Sequence, residues 1–434
     1  MTPFQEIKEK ANNLRKAKDY ENALPLYKDL WDNYKDDCGK WEGWGYAQCL
    51  NKLKNFDDSM NICRKTYKID QTFNLNNNLY AWNIYHTEIA KNQVQNESVF
   101  FKAAKGIILL SEEDEYSPYV ITIFKVIDYL NEQNRVNYNE VITWIEYLKP
   151  ELLDETPFSF QDKDGKTREI ASKKEQYYSN RSKAFFELGQ FENCIIICEE
   201  ALNTLTKFHY SNDIWFKRSI ALSNAQLGSN DLAITQLVEI LKQKNEWFIQ
   251  KEIAEIYLKN NKLKDAEKYA IDAALNYGDN DKKMNLYLLL NDILQRQGKN
   301  NEARNHILFI AKIRIDKKWK IDTDLKQKID FYNIDLNDLP NFNSIKRDLI
   351  KTWEDLKFGD KQYNGIIKKM LPNNKSGFIE LENSRLSYYF DVRDFKGQKN
   401  LVKEGTKVRF YLEDSFNKKR NEKSKKAVMI KSIR

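Results

Sequence analysis

The chain is poor in the residues that punctuate structure, with 14 Gly and 7 Pro among 434 residues. So few breakers exclude a turn-rich all-β architecture and favour long α-helices. No apolar run approaches the roughly 18 residues of a membrane-spanning helix. The opening Met1-Thr2-Pro3-Phe4-Gln5-Glu6 lacks the basic start and apolar stretch of a secretion signal. Cysteine is scarce too: Cys38, Cys49, Cys63, Cys194 and Cys198 make an odd count with no C-x-x-C pair. The expectation is reduced thiols and a cytoplasmic location. Cys194 and Cys198 sit four apart in an apolar run, where packing on one helix face outweighs a metal or redox role.

Chemistry-bearing motifs are equally thin. The three histidines, His86, His209 and His306, lie far apart in unrelated helical contexts. There is no Walker-type phosphate loop, no G-x-S-x-G and no H-E-x-x-H. Acidic pairs such as Glu112-Glu113 and Glu199-Glu200 fall on polar helix faces. The expectation is no catalytic residue, no metal site and no cofactor, hence a protein that is not an enzyme.

Aromatic residues and asymmetric charge are what the chain does have. Aromatics reach 13%, with 24 Tyr and 23 Phe, too many for a disordered chain. Residues 361–434 hold 19 Lys and Arg against 8 Asp and Glu, a net +11, which leaves the first 360 residues at −4. A mildly acidic body carrying a basic tail points to a polyanion at the C-terminus, although charge alone does not separate that from a solvated surface.

Apolar spacings of three and four run through residues 1–335, and a longer period is superimposed on them. A small residue, a turn, and a second small residue twelve further on recur as Ala11/Ala23, Ala47/Ser59, Ser182/Cys194, Ala221/Ala233 and Ala254/Ala266. Small side chains mark where two antiparallel helices cross closely, and each such pair must stack on the next to bury its remaining face. Consecutive copies are offset by about 33–39 residues, and the pattern resembles the tetratricopeptide (TPR) repeat. The match covers residues 4–68 and 176–312; residues 75–148 read as diverged repeats or unrelated helices. Pro150, Pro157 and Asp164-Gly165 interrupt the helices with a loop or small hairpin. Past residue 312 the period fades, and a linker helix is expected over residues 343–357.

From Tyr363 the pattern alternates. Gly365-Ile366-Ile367, Gly377–Leu381, Ser387–Val392, Lys407–Leu412 and Ala427–Ile430 are five strand candidates, and five strands in about 70 residues imply a closed barrel. Lys375-Ser376-Gly377-Phe378-Ile379, Tyr389-Phe390-Asp391-Val392 and Leu401–Phe410 resemble the cold-shock domain, an oligonucleotide-binding (OB) barrel. The resemblance implies single-stranded nucleic acid stacked on exposed rings, here Phe378 and Tyr389, with the backbone held by basic side chains. Those are Lys368, Lys369, Lys375, Lys418, Lys419, Arg420 and Lys423, the last four placed with Lys425 and Lys426 in a loop before the final strand. Departures from the family are Ser376 for an exposed aromatic, Asp391 for His, and Lys369 for Trp.

The fold expected is therefore mainly α, a TPR-like solenoid with a small C-terminal five-stranded OB/cold-shock-like barrel. Its blocks are residues 1–150 and 176–335 (helical), 151–175 (loop or hairpin), 336–361 (linker helix) and 362–434 (barrel). The TPR resemblance also implies a concave partner surface, on which Trp215, Arg218, Lys251 and Glu255 fall, with Phe248 beside them. Lys8 and Asn12 fit the start of the family's carboxylate clamp, but Gly45 stands where the next repeat supplies Asn. The expected role is an adaptor that holds a protein or peptide on its helices and single-stranded RNA or DNA on its barrel. The alternatives are a protein-only scaffold with a degenerate barrel, or a regulatory subunit of a bacterial nucleic-acid-processing or defence complex.

Overall fold

The computed structural model describes residues 2–91, 93–359, 361–417 and 421–433. They fall into two compact units, residues 1–236 and 237–434.

The first unit begins with two antiparallel pairs, α1 (Pro3–Lys16) with α2 (Tyr20–Asn33) and α3 (Lys40–Lys52) with α4 (Phe56–Ile69). Ala11, Ala23, Ala47 and Ser59 are all fully buried at the crossings, and Ser59 Oγ donates to the Ala47 carbonyl at 2.8 Å. Gly45 has a packing reason: a Cβ there would lie 2.6 Å from the Tyr27 hydroxyl. Four helices follow: α5 (Asn74–Ile84), running into a π-helical turn at Tyr85–Ile89, α6 (Glu97–Leu110), α7 (Tyr119–Asn131) and α8 (Tyr138–Ile145). They share one core with Phe100, Ile107, Ile127 and Trp144, so residues 75–148 supply successive packed helices. The hairpin β1 (Phe158–Gln161) and β2 (Thr167–Ile170) turns at Gly165, whose φ of 72° is the left-handed conformation that the Asp-Gly pair foreshadows. Then come α9 (Lys173–Glu187), α10 (Phe191–Thr204), α11 (Asp213–Gln226) and α12 (Asn230–Gln243), within which the division between units falls.

One turn is reused throughout. In α1–α2, α3–α4, α9–α10 and α11–α12 three residues connect the helices, and the middle one has positive φ: Lys18, Lys54, Gly189 and Gly228. In the second unit α13 (Trp247–Lys259) and α14 (Leu263–Leu275) turn at Asn261, and α15 (Met284–Arg296) and α16 (Asn300–Asp316) turn at Gly298. Gly and Asn tolerate this conformation, while the two lysines each accept strain of about 1 kcal/mol.

Two buried polar groups organise that second unit. Lys283 is 2% exposed, and its ammonium donates to the carbonyls of Ala273, Ala274 and Asn276 at 3.0, 3.3 and 2.6 Å, capping the C-terminus of α14. Beyond α17 (Thr323–Phe331), an element the fading period did not reveal, α18 (Phe342–Phe358) packs on α16. There the indole N–H of Trp353 donates to Nε2 of fully buried His306 at 2.9 Å, while Nδ1–H donates to the Glu302 carbonyl at 2.8 Å.

Strands β3 (Tyr363–Met370), β4 (Ser376–Leu381), β5 (Ser387–Asp391), β6 (Lys407–Asn417) and β7 (Glu422–Ser432) close a barrel in the order β3-β4-β5-β7-β6. Only β5 and β7 run parallel. Ile367, Ile379, Phe390, Val408, Phe410, Ala427 and Ile430 fill it. This is an OB/cold-shock-like barrel following TPR-like helical repeats. Its last two strands are longer than the alternation suggested. Residues 414–417 and 422–425 pair only with each other, as a two-stranded ribbon extending past the closed barrel. Lys423, Lys425 and Lys426 are therefore on strand β7, not in a loop. The loop reading failed because polar residues alternate on both faces of a ribbon that has no core to pack against.

The His306 site has a pH signature. Burial holds its imidazole down to about 4 from 6.5. The native state thus resists a proton that the unfolded chain takes, so the site's contribution is full above about pH 6.5, falls as pH drops towards 4, and is flat below. The expected loss over that window is roughly 3 kcal/mol. Hydrogen exchange over Phe342–Phe358 should show it, and His306→Gln should start less protected at pH 7 but lose the pH dependence.

Candidate nucleic-acid interface

The barrel's outer face carries the residues with the chemistry to grip a strand. Across β3, β4, β5 and β7 the register aligns Lys369, Phe378, Tyr389 and Lys426 in one row. A bulge in β3 between Ile367 and Lys369 makes this possible. One extra residue leaves both Lys368 and Lys369 exposed, where strict alternation would turn one inward. The rings of Phe378 and Tyr389 lie 5.9 Å apart at 74°, edge to face, and Tyr389 is 41% exposed. They offer two flat surfaces at a steep angle, backed by the fully buried Ile379 and Phe390 on the other side of the same strands. Gly377 permits the close approach of β3 to β4, since a Cβ there would meet the Lys369 carbonyl at 2.5 Å.

The charges divide into engaged and available. Lys368 pairs with Glu380. Lys369 and Lys375 are exposed, and the backbone N–H of Lys375 donates to Asn373 Oδ1 at 2.9 Å. Lys426 lies 3.4 Å from Glu413 and 3.7 Å from Asp394. Asp391, which stands where the cold-shock family has His, is not a bare charge on this face. It accepts two bonds from the Arg393 guanidinium, at 2.9 and 2.7 Å, and that pairing pulls its carboxyl below the usual range. Its repulsion towards phosphate is thereby largely cancelled. Ser376 is buried, so its position would not display an aromatic to solvent in this barrel.

The sequence-predicted set is thus dispersed. Lys369, Phe378 and Tyr389 form one row with Lys368 beside it; Lys375 precedes β4; Lys423 is in register with Phe416 on the ribbon. Lys418, Lys419 and Arg420 lie outside the described residues. Of the helical candidates, Trp215 and Arg218 line a cavity of about 360 Å³ in the first unit with Lys183, Phe186 and His209. His209 is held there by the buried Glu175 carboxylate, 2.6 Å from Nδ1. Phe248, Lys251 and Glu255 lie on α13 in the second unit, where Lys251 pairs with Glu255 at 2.5 Å. Lys8 pairs with buried Glu42 at 2.6 Å, and Asn12 accepts from the Tyr27 hydroxyl at 2.8 Å, so both clamp-like residues are engaged in packing.

What sequence reasoning missed is how the barrel is fastened to the helices of its unit. The Lys357 ammonium bridges Asp272 on α14 at 2.7 Å and Glu413 on β6 at 3.0 Å. Burial pushes this lysine down, but the two carboxylates outweigh it and hold it above its ordinary value. Lys431 on β7 meets both oxygens of buried Glu354 on α18 at 2.7 and 2.9 Å. Phe358 stacks on Tyr411 at 4.6 Å and 16°. These contacts use β6 and β7 and leave the β4–β5 rings uncovered.

Among known proteins, the family described as "Domain of unknown function (DUF7017)" matches residues 214–331, in the helices on both sides of the unit boundary. No curated protein matches the chain. Several solved structures are similar to it at low identity. The Naa15/Naa10 structure bound to HypK-THB is 12% identical with a TM-score of 0.43, over 82% of this chain and 51% of that one. The chain thus spans about half its length. A tetratricopeptide repeat protein from Parabacteroides merdae is 10% identical with a TM-score of 0.32, over 76% and 98%. A human IFIT1 dimer with PPP-AAAA is 12% identical with a TM-score of 0.35, over 81% and 82%.

The fastening is testable by a double-mutant cycle. Lys431→Ala strands a buried carboxylate and should destabilise the second unit by roughly 3 kcal/mol. Adding Glu354→Ala removes the stranded charge and should recover part of that loss in urea melts, a gain that independent sites would not show.

Proposed function

We propose that this protein is a non-enzymatic adaptor whose C-terminal barrel binds single-stranded RNA or DNA and whose helical repeats hold a partner protein or peptide. The observation that carries the reading is the row of Lys369, Phe378 and Tyr389 on the uncovered β4–β5 face. Rings on a rigid sheet with cations beside them match the chemistry of a strand, flat apolar bases strung on a charged backbone. Two rings at about 1–3 kcal/mol each give weak, sequence-tolerant binding, to which several phosphate contacts add a strong salt dependence.

The helical part of the reading rests on Trp215 and Arg218 in their cavity and on Phe248, Lys251 and Glu255 along α13, residue types suited to a peptide. The histidines support a binding rather than a catalytic role. His306 and His209 are spent on Trp353 and Glu175, and His86 is stacked on Phe56 at 4.5 Å. Five free thiols, four of them buried, fit a reducing cytoplasm. No described helix is long and apolar enough to cross a membrane.

The test is binding of the full chain to single-stranded RNA and DNA, titrated with salt, beside Phe378→Ala/Tyr389→Ala. Affinity should fall with salt, and the double variant should lose about 30-fold or more at fixed salt while melting like the parent. Unchanged affinity in the variant would refute the stacking row. Absence of binding by the parent would leave the protein-only scaffold.

A further inference from the structure

The barrel row ends at Lys426, but basic and aromatic side chains continue past it. Between α14, the end of α18 and the β6–β7 ribbon lies an open cleft of about 1100 Å³. It exists because Lys357 and the Glu354–Lys431 pair hold the barrel against the helices while the ribbon projects beyond it. Its floor is apolar, made by Leu263, Ile271, Leu356, Phe358 and Leu412.

The walls are charged, and most of their acids are already engaged. Glu267 pairs with Lys299 at 2.9 Å, and Asp272 and Glu413 pair with Lys357. Asp414 is the remaining lining acid, directly opposite Lys425 in the ribbon's register. Lys264 and Lys268 sit one helical turn apart on the exposed side of α14, with no carboxylate partner among the described residues. The ribbon face bearing Asp414 and Lys425 continues two residues outward to Phe416, which is 54% exposed, and to its register partner Lys423. The cleft lining therefore offers Lys264 and Lys268 without a carboxylate partner above an apolar floor, while Phe416 and Lys423 lie just beyond it on the ribbon.

We propose that this cleft is a second seat for the same single strand, which leaves the β4–β5 row over β7 and passes between the ribbon and α14. The inference rests on the barrel reading above and extends it. Lysine spaced along the walls matches phosphates, the apolar floor matches bases, and the volume suits several nucleotides. An acidic peptide would find the cations but would leave that apolar floor unfilled. This adds Lys264, Lys268 and Lys425 to the interface, with Lys423 and Phe416 at its outer end on the ribbon.

The experiment compares the full chain, Lys264→Glu/Lys268→Glu and the milder Lys264→Gln/Lys268→Gln with oligouridylates of about six and about twenty nucleotides, a range set by OB-fold site sizes. The parent should bind the long strand more tightly than its added length explains. Charge reversal should weaken the long strand about ten-fold and leave the short one within two-fold. Its log–log salt slope for the long strand should flatten by about 1.4, two phosphate contacts. The glutamine pair should lie between. Both pairs are exposed, so their melting should match the parent's. A long strand bound as tightly by the charge-reversed protein overturns the cleft while the barrel row stands. If Phe378→Ala/Tyr389→Ala is silent and charge reversal is not, the row fails and the cleft stands. Polyglutamate that displaces the long strand at equal charge overturns the proposal in favour of an acidic peptide.

Discussion

A single ammonium group, that of Lys357, lies where the helical and β parts of the second unit meet. It is placed between Asp272 on α14 and Glu413 on β6, and each carboxylate would repel the other without it. Glu413 in turn lies within reach of Lys426, and Lys426 of Asp394, so the bridge continues through the barrel wall. An ion pair this sheltered loses much of its Coulomb gain to desolvation, so its value is orientation more than stability. It fixes which strands face the helices and which face solvent. With β6 and β7 occupied, the rings of β4 and β5 are the surface left over.

The same unit shows how polar groups can be carried inside a helical stack. Lys283 terminates α14 by satisfying three carbonyls, and His306 joins α16 to α18 through both ring nitrogens. Neither residue has a spare hydrogen-bonding role there.

Much of the fold could be read from the chain because its determinants are local. The small residues at helix crossings, from Ala11 and Ala23 to Ala254 and Ala266, sit at fixed spacing, and the alternation of Ile367, Ile379 and Phe390 marks the barrel interior. Alternation also agrees with Phe378 and Tyr389 on the outer face, while a stacking role for them is what the cold-shock resemblance implies. What stayed hidden depends on register and on distant partners. The β3 bulge that exposes Lys368 and Lys369 together has no sequence marker, and neither has the Arg393 pairing that holds Asp391. The ribbon was read as a loop because its strands have no buried side. The Lys357 bridge joins residues 272, 357 and 413, a grouping that no local pattern announces.

The central claim is that a strand lies on the β4–β5 rings. It is tested most directly by cross-linking a thiouridine-substituted single strand to the full protein and mapping the adducts by mass spectrometry. The account predicts adducts at Phe378 and Tyr389, in the peptides spanning residues 376–393, that vanish when unlabelled strand competes. Adducts confined to the helices of residues 1–236, with none on the barrel, would contradict it.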